Sequence, residues 1–170
     1  MKKFEDGFLF GAATSAHQTE GNNIHSDYWL MENMKYTDFN EKSGLAVDHY
    51  NRYREDIDLL KKAGLNAYRF SIEWARIEPE EGVFDEKEID HYRDVLSYMH
   101  KKGITPVVTL MHFTSPSWLI KKGGWRGKDT PFYFERYVSF VIEKIGDLIP
   151  YVVTLNEANM GVQVGSIALR

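Results

Sequence analysis

The chain has 170 residues, of which 43% are hydrophobic and 27% charged, with 21 Lys and Arg against 25 Asp and Glu for a formal net charge of -4. That is ordinary material for a folded domain, and a chain of this length buries roughly two thirds of its unfolded surface without needing disulfides or a structural metal. The absence of cysteine excludes thiol nucleophiles, Cys-based zinc sites and iron–sulfur clusters, and the absence of a long basic run argues against nucleic acid as a partner.

At the N-terminus, Lys2 and Lys3 precede the apolar Phe8-Leu9-Phe10, but Glu5 and Asp6 interrupt the run and it is too short for a secretory leader. No stretch approaches the ~18 apolar residues of a membrane span. A cytoplasmic protein with no membrane partner is expected.

A first strand is predicted at Phe8–Ala13, followed by a long polar loop at 19–47. From Asp48, Tyr50, Tyr53, Ile57 and Leu60 recur at helical spacing before Gly64, which predicts a helix over 49–63. Asn66–Ile72 is short and rich in aromatic and β-branched residues, as a strand should be. Asp85 with Glu88 three residues on forms a capping-box signature, and Ile89, Tyr92, Leu96 and Met99 make one apolar face ending at Gly103. Thr105–Met111 is the third strand, with Pro106 at its entrance. Thr130-Pro131 reads as an N-cap with proline at the first helical position, and Phe134, Tyr137, Val138, Val141, Ile142 and Ile145 carry the stripe to Gly146. The fourth strand is Tyr151–Asn156, and Gly161–Arg170 could begin a further helix.

The glycines at 64, 103 and 146 stand 39 and 43 positions apart, the pulse of a repeated β-α unit. Continuous apolar strands imply a parallel sheet buried on both faces. A doubly wound sheet and a (β/α)8 barrel both begin this way. The first would carry G-x-G-x-x-G after its first strand, and Gly11-Ala12-Ala13-Thr14 does not. The expected fold is therefore α/β, the N-terminal half of a (β/α)8 TIM barrel: residues 1–170 as one partial domain of about four β-α units, stopping after strand four, since a complete barrel needs ~250 residues.

Barrel chemistry gathers where the strands end. Those ends hold Thr14–Gly21, Arg69–Arg76, Met111–Phe113 and Thr154–Glu157. Glu157, at the end of a buried strand, would be partly desolvated and suited to donate a proton near neutral pH, or would form a salt bridge with Arg69. Asn156 could grip a sugar hydroxyl or bond its own backbone to stop the strand. His112 could be a base, a hydrogen-bond donor or a metal ligand, and the last is poorly supported because no second ligand stands at metal spacing. No cofactor is implied. Most of the aromatic residues should be core, with Trp118 and Trp125 the best placed to stack on a sugar.

The segments Phe8–Gly21, Asp48–Tyr53, Tyr68–Ile77 and Thr154–Glu157, in this order and spacing, resemble glycoside hydrolase family 1, which includes β-glucosidases, β-galactosidases and 6-phospho-β-glycosidases. The resemblance implies retaining cleavage of the O-glycosidic bond of small-molecule β-glycosides by two glutamates. Carried onto this chain, Glu157 matches the general acid/base, Asn156 the partner of the sugar 2-hydroxyl, Gln18 and His112 ligands of other hydroxyls, and Arg69 the arginine beside the nucleophile. Two positions depart from the common pattern: His112-Phe113-Thr114-Ser115-Pro116 stands where many members have His-Trp-Asp-Leu-Pro, and Ala158 replaces the proline after the acid/base.

The nucleophilic glutamate of the family lies beyond Arg170, and retaining chemistry places it about 5–5.5 Å from the acid/base. Glu20 and Glu73 are further carboxylates with no role implied, Glu73 being expected to support the core or pair with Arg76. The chain on its own is therefore expected to be inactive. The alternative is a non-catalytic half-barrel that binds sugar or self-associates through its exposed strand edges as a homo-oligomer. An isomerase or aldolase barrel ranks below both, because no Schiff-base lysine sits at a strand end.

Overall fold

A computed structural model describes residues 4–160. Four parallel strands, β1 (Gly11–Ala13), β2 (Ala67–Ser71), β3 (Thr105–Met111) and β4 (Tyr151–Leu155), lie side by side in sequence order. Register is set by pairs such as Ala12 with Tyr68, Phe70 with Val108, and Thr109 with Val153. The connections carry α1 (Ala16–Thr19), α2 (Asp27–Glu32), α3 (His49–Lys62), α4 (Trp74–Ile77), α5 (Glu86–Lys102), α6 (Ser117–Ile120) and α7 (Thr130–Ile145). Parallel strands joined by helices in this order form the first half of a (β/α)8 barrel. The helix expected at 161–170 lies outside the described residues.

The three long helices match the apolar periods. Tyr53 and Ile57 of α3, Ile89, Tyr92, Leu96 and Met99 of α5, and Tyr137, Val141 and Ile145 of α7 are buried in one cluster with Tyr68, Phe70, Ile72, Val108 and Leu110 from the strands. Gly103 takes the left-handed conformation after α5, and Ile104 N donates back to Met99 O, so the helix stops where glycine permits it.

Several local expectations need correction. Strand β1 starts at Gly11 rather than Phe8, because the Asn66 side chain takes the ladder positions before it: Phe10 N donates to Asn66 Oδ1 and Asn66 Nδ2 donates to Phe8 O, and only Phe10 O is met by a backbone N–H, that of Asn66. The polar loop contains α2, capped by Ser26 Oγ accepting from Trp29 N. Asp85 caps α5 through Lys87 N, but the capping box is incomplete, since Glu88 interacts instead with Tyr50 and Arg76. Helix α7 begins at Thr130 itself, whose hydroxyl turns back to Gly124 O, and Gly146 opens a 3-10 turn instead of a left-handed cap.

Burial on both faces holds only for the central strands. β2 and β3 send Tyr68, Phe70, Val108 and Leu110 toward the helices and Arg69, Ser71 and Thr109 to the opposite face, whereas β1 and β4 have one strand neighbour each and are largely exposed. Trp118 is half-buried, and Trp125 is exposed but anchored. Both meet Trp74 edge-on, Trp74 stacks on Tyr137, and Trp118 Nε1 donates to Glu78 O. Both rings pack at the aromatic end of the core.

Candidate active site

All four strands run in one direction, so their carboxyl ends open on the same side. Arg69, on the face of β2 turned away from the helices, is half-buried and ties three strands together: its Nε donates to Thr109 Oγ1 at 2.8 Å and its Nη2 to Asn156 Oδ1 at 2.6 Å. Asn156 is buried, with its backbone N donating to Met111 O. Because the guanidinium occupies the Asn156 carbonyl, what the side chain offers a ligand is its amide N–H donors. The arginine reaches the asparagine, and among the described residues no ion pair joins it to Glu157.

Glu157 follows with φ +47°, a left-handed conformation that is uncommon for a residue with a side chain and that turns the chain as the strand ends. Among the described residues the side chain is exposed, where a strand end is expected to bury it in part. His112 stands close enough to feel both neighbours. Burial and the Arg69 charge pull its imidazole below the usual histidine range, and the Glu157 charge opposes them. Its Nδ1 is buried without a hydrogen-bond partner among the described residues.

Gln18 lies at the same end, on α1, exposed, with its Oε1 accepting from Ser15 Oγ at 2.7 Å. It makes no described hydrogen bond to the other four. β1 is held to β2 here by Ala16 N donating to Ser71 Oγ and by a 2.6 Å contact between Thr14 Oγ1 and Tyr68 OH. The structure thus gathers Arg69, His112, Asn156 and Glu157 into one group, with Gln18 on the neighbouring strand end. A carboxyl group, amide donors and an imidazole around an open mouth are groups that can bind hydroxyls and exchange a proton with an oxygen. Among the described residues no group of three or more His, Cys, Asp or Glu is placed to hold a metal.

Comparison with known proteins shows the family. The description of glycosyl hydrolase family 1 matches residues 1–168. The chain belongs to glycosyl hydrolase family 1. It is 40% identical over 164 residues to a 1,4-beta-D-glucan glucohydrolase of Thermotoga neapolitana, a match covering 92% of this chain and 39% of the relative. Among solved structures it resembles beta-glycosidase BGL167, with 52% identity, a TM-score of 0.93 and coverage of 96% of this chain and 39% of the other. A beta-glycosidase from Pyrococcus horikoshii gives 44% identity and a TM-score of 0.90, covering 96% and 38%. This family 1 chain thus spans about two fifths of the length of the relatives it matches.

Behind the mouth of this family 1 half-barrel lies a buried acid network that the sequence did not expose. Glu20 Oε2 accepts from Arg76 Nε at 2.8 Å, and Glu20 Oε1 accepts from Tyr92 OH at 2.7 Å. Tyr92 OH in turn accepts from Glu73 N at 3.0 Å. The expected Glu73–Arg76 pair therefore does not form: the guanidinium serves Glu20, 56 positions away in sequence. Glu73 instead accepts from Thr114 Oγ1 at 2.7 Å and from Ala75 N at 3.2 Å. Burial pushes its carboxyl up to about 7, the charges of Glu20 and Asp27 add to that, and the Thr114 and Ala75 hydrogen bonds oppose it. The signal available in the sequence was a glutamate inside an otherwise apolar strand-to-helix junction, Phe70-Ser71-Ile72-Glu73-Trp74.

Proposed function

We propose that this chain carries the acid/base half of a retaining β-glycosidase active site. Glu157 is the proton donor to the glycosidic oxygen and later the base that activates water. Asn156 offers its amide N–H to the sugar 2-hydroxyl, Gln18 and His112 bind hydroxyls farther round the ring, and Arg69 holds the floor of the pocket between them. The observation that carries this reading is the Arg69 bridge from Thr109 to Asn156, which fixes the residue before Glu157 and the strand before His112 with one side chain.

Glu20 and Glu73 are committed to Arg76, Tyr92 and Thr114. Neither is free to act as nucleophile, so this chain by itself forms no glycosyl-enzyme and hydrolyses no glycoside. The test joins the chain to the second half of its Thermotoga neapolitana relative. The joined protein should hydrolyse an alkyl β-glucoside with retention, the 170-residue chain should release nothing above background, and Glu157→Gln in the joined protein should lower the rate by about 10²–10⁴-fold. Undiminished turnover in that variant, or robust hydrolysis by the chain alone, contradicts the assignment.

A second reading, self-association of the half-barrel, is favoured by its two free edges: Phe8 and Phe10 beside β1, and Tyr151 and Val152 on β4, are exposed. Sedimentation of the chain as a monomer at micromolar concentration would eliminate it.

A further inference from the structure

The residues just after His112 follow an unusual path. Phe113 has φ +68° and Thr114 N donates to His112 O at 2.9 Å, which closes a three-residue turn of the rarer, strained hand on a bulky residue. Such a turn persists only where its surroundings over-determine it. Here both following residues are fastened to carboxylates from other connections. Thr114 Oγ1 donates to Glu73 Oε2 at 2.7 Å. Ser115 donates from Oγ to Asp27 Oδ2 at 2.6 Å and from its backbone N to Asp27 Oδ1 at 3.0 Å, and Asp27 N donates back to Ser115 O at 2.8 Å. Thr114, Ser115 and Glu73 are buried, and among the described residues neither carboxylate has a lysine or arginine ion-pair partner.

We propose that Glu73 and Asp27 are positioning residues for His112, holding through Thr114 and Ser115 the strained turn that aims its imidazole at the mouth, and that this hold weakens when Glu73 takes up a proton. Enclosing one buried and one half-buried acid without a lysine or arginine partner does not favour stability. It does fix a turn, because a charged acceptor makes a shorter and stronger hydrogen bond than a neutral one. The groups that face Glu73 are Glu20 from the end of α1, Asp27 of α2, Arg76 of α4 spent on Glu20, and the hydroxyls of Tyr92 on α5 and Tyr137 on α7. Its carboxyl, raised to about 7, places the change of state near neutral pH. Asn23 can follow that change: its Nδ2 lies 3.5 Å from Glu73 Oε2 while its Oδ1 is buried without a partner, so a protonated Glu73 finds an acceptor by rotation of that amide.

The consequence for sugar binding rests on the proposed function, but the turn can be tested without any sugar. The 170-residue chain is labelled with ¹⁵N and ¹³C, and the Phe113, Thr114 and His112 signals are followed from about pH 5.5 to 8.5. In the wild type the Phe113 and Thr114 amides should titrate together with a midpoint near 7, and in Glu73→Gln that titration should vanish. Thr114→Ser should retain it. Thr114→Val should move Phe113 Cα and the His112 ring signals while leaving those of Ile57 and Val141 in place. Should Thr114→Val fail to fold, Ser115→Ala reads the Asp27 side of the clamp in the same way. The proposal is overturned if the turn signals titrate unchanged in Glu73→Gln, or if the valine variant shifts the core as much as His112. A wild type that shows the turn titration yet binds no glucoside even when joined to the second half would sink the proposed function and leave the clamp standing.

Discussion

Replacing Glu73 by glutamine should stabilise this protein, and only above a definite pH. The carboxyl is fully buried and its proton affinity rises from the ordinary 4.5 to about 7, which at ~1.4 kcal/mol per pH unit corresponds to at most about 3 kcal/mol. Between those two values the folded state holds a proton that the unfolded chain has released, so the wild type loses stability as pH rises through this window and the loss is complete above about 7. The substituted glutamine keeps one oxygen to accept from Ala75 N, while its amide N–H in place of the other oxygen can donate to Thr114 Oγ1, which turns its hydroxyl to accept, and to the unpartnered Asn23 Oδ1. Urea unfolding followed by tryptophan fluorescence at pH 5, 6, 7 and 8 should give a stability difference that starts below about 1 kcal/mol at pH 5 and grows toward about 3 kcal/mol at pH 8. Glu20 and Asp27, whose charges face Glu73, are relieved when that charge is removed, and this relief acts in the same direction as the loss of the Glu73 charge itself. A difference that is constant across pH 5–8 would refute the assignment of a neutral-range carboxyl at this position.

Arg76→Met leaves Glu20 buried without its cation, and should cost about 3–5 kcal/mol at pH 8 and less at pH 5, where Glu20 is more readily protonated, measured in the same urea series. Gly11→Ala would place a Cβ 2.3 Å from Ala67 O, so β1 must move off β2; a loss of about 1–3 kcal/mol is expected, with hydrogen-exchange protection of Ala13 and Thr14 falling more than that of β3. Trp74→Ala removes the ring that stacks on Tyr137 and receives the edges of Trp118 and Trp125, and should lower stability by about 3–5 kcal/mol in thermal melts.

The parts of the fold that were legible in the sequence are those governed by local period. Tyr53 and Ile57, Ile89 to Met99, and Tyr137 to Ile145 recur at helical spacing, and each group is buried. The strand ends were legible for the same reason, since a polar residue after an apolar run marks where a strand leaves the core. What local period could not supply was partner choice across the chain. Arg76 has Glu73 three positions away and takes Glu20, because the strand end directs Glu73 toward Thr114 while the α1 terminus delivers Glu20 to the guanidinium. The backbones of Phe113 and Glu157 were equally invisible: no glycine or asparagine announces either positive φ, and both are imposed by what surrounds them. Trp118 and Trp125 occupy a loop, and local period gave no sign that both would pack against Trp74, a contact between segments more than 40 positions apart in sequence.

The order of the sheet, β1-β2-β3-β4 with every strand beside its predecessor, has a bearing on how such a chain comes into being. Each new strand needs as its template only the one already made, so closing each pairing spans a single β-α unit and the entropic cost stays small and nearly equal from step to step. A ribosome emitting the polypeptide from its N-terminal side would deliver these units in the order in which they dock, and Arg69 would wait unbridged until Asn156 emerged, 87 positions later. Among these four strands the bridge across the mouth is thus made last, after the scaffold that aims it has set.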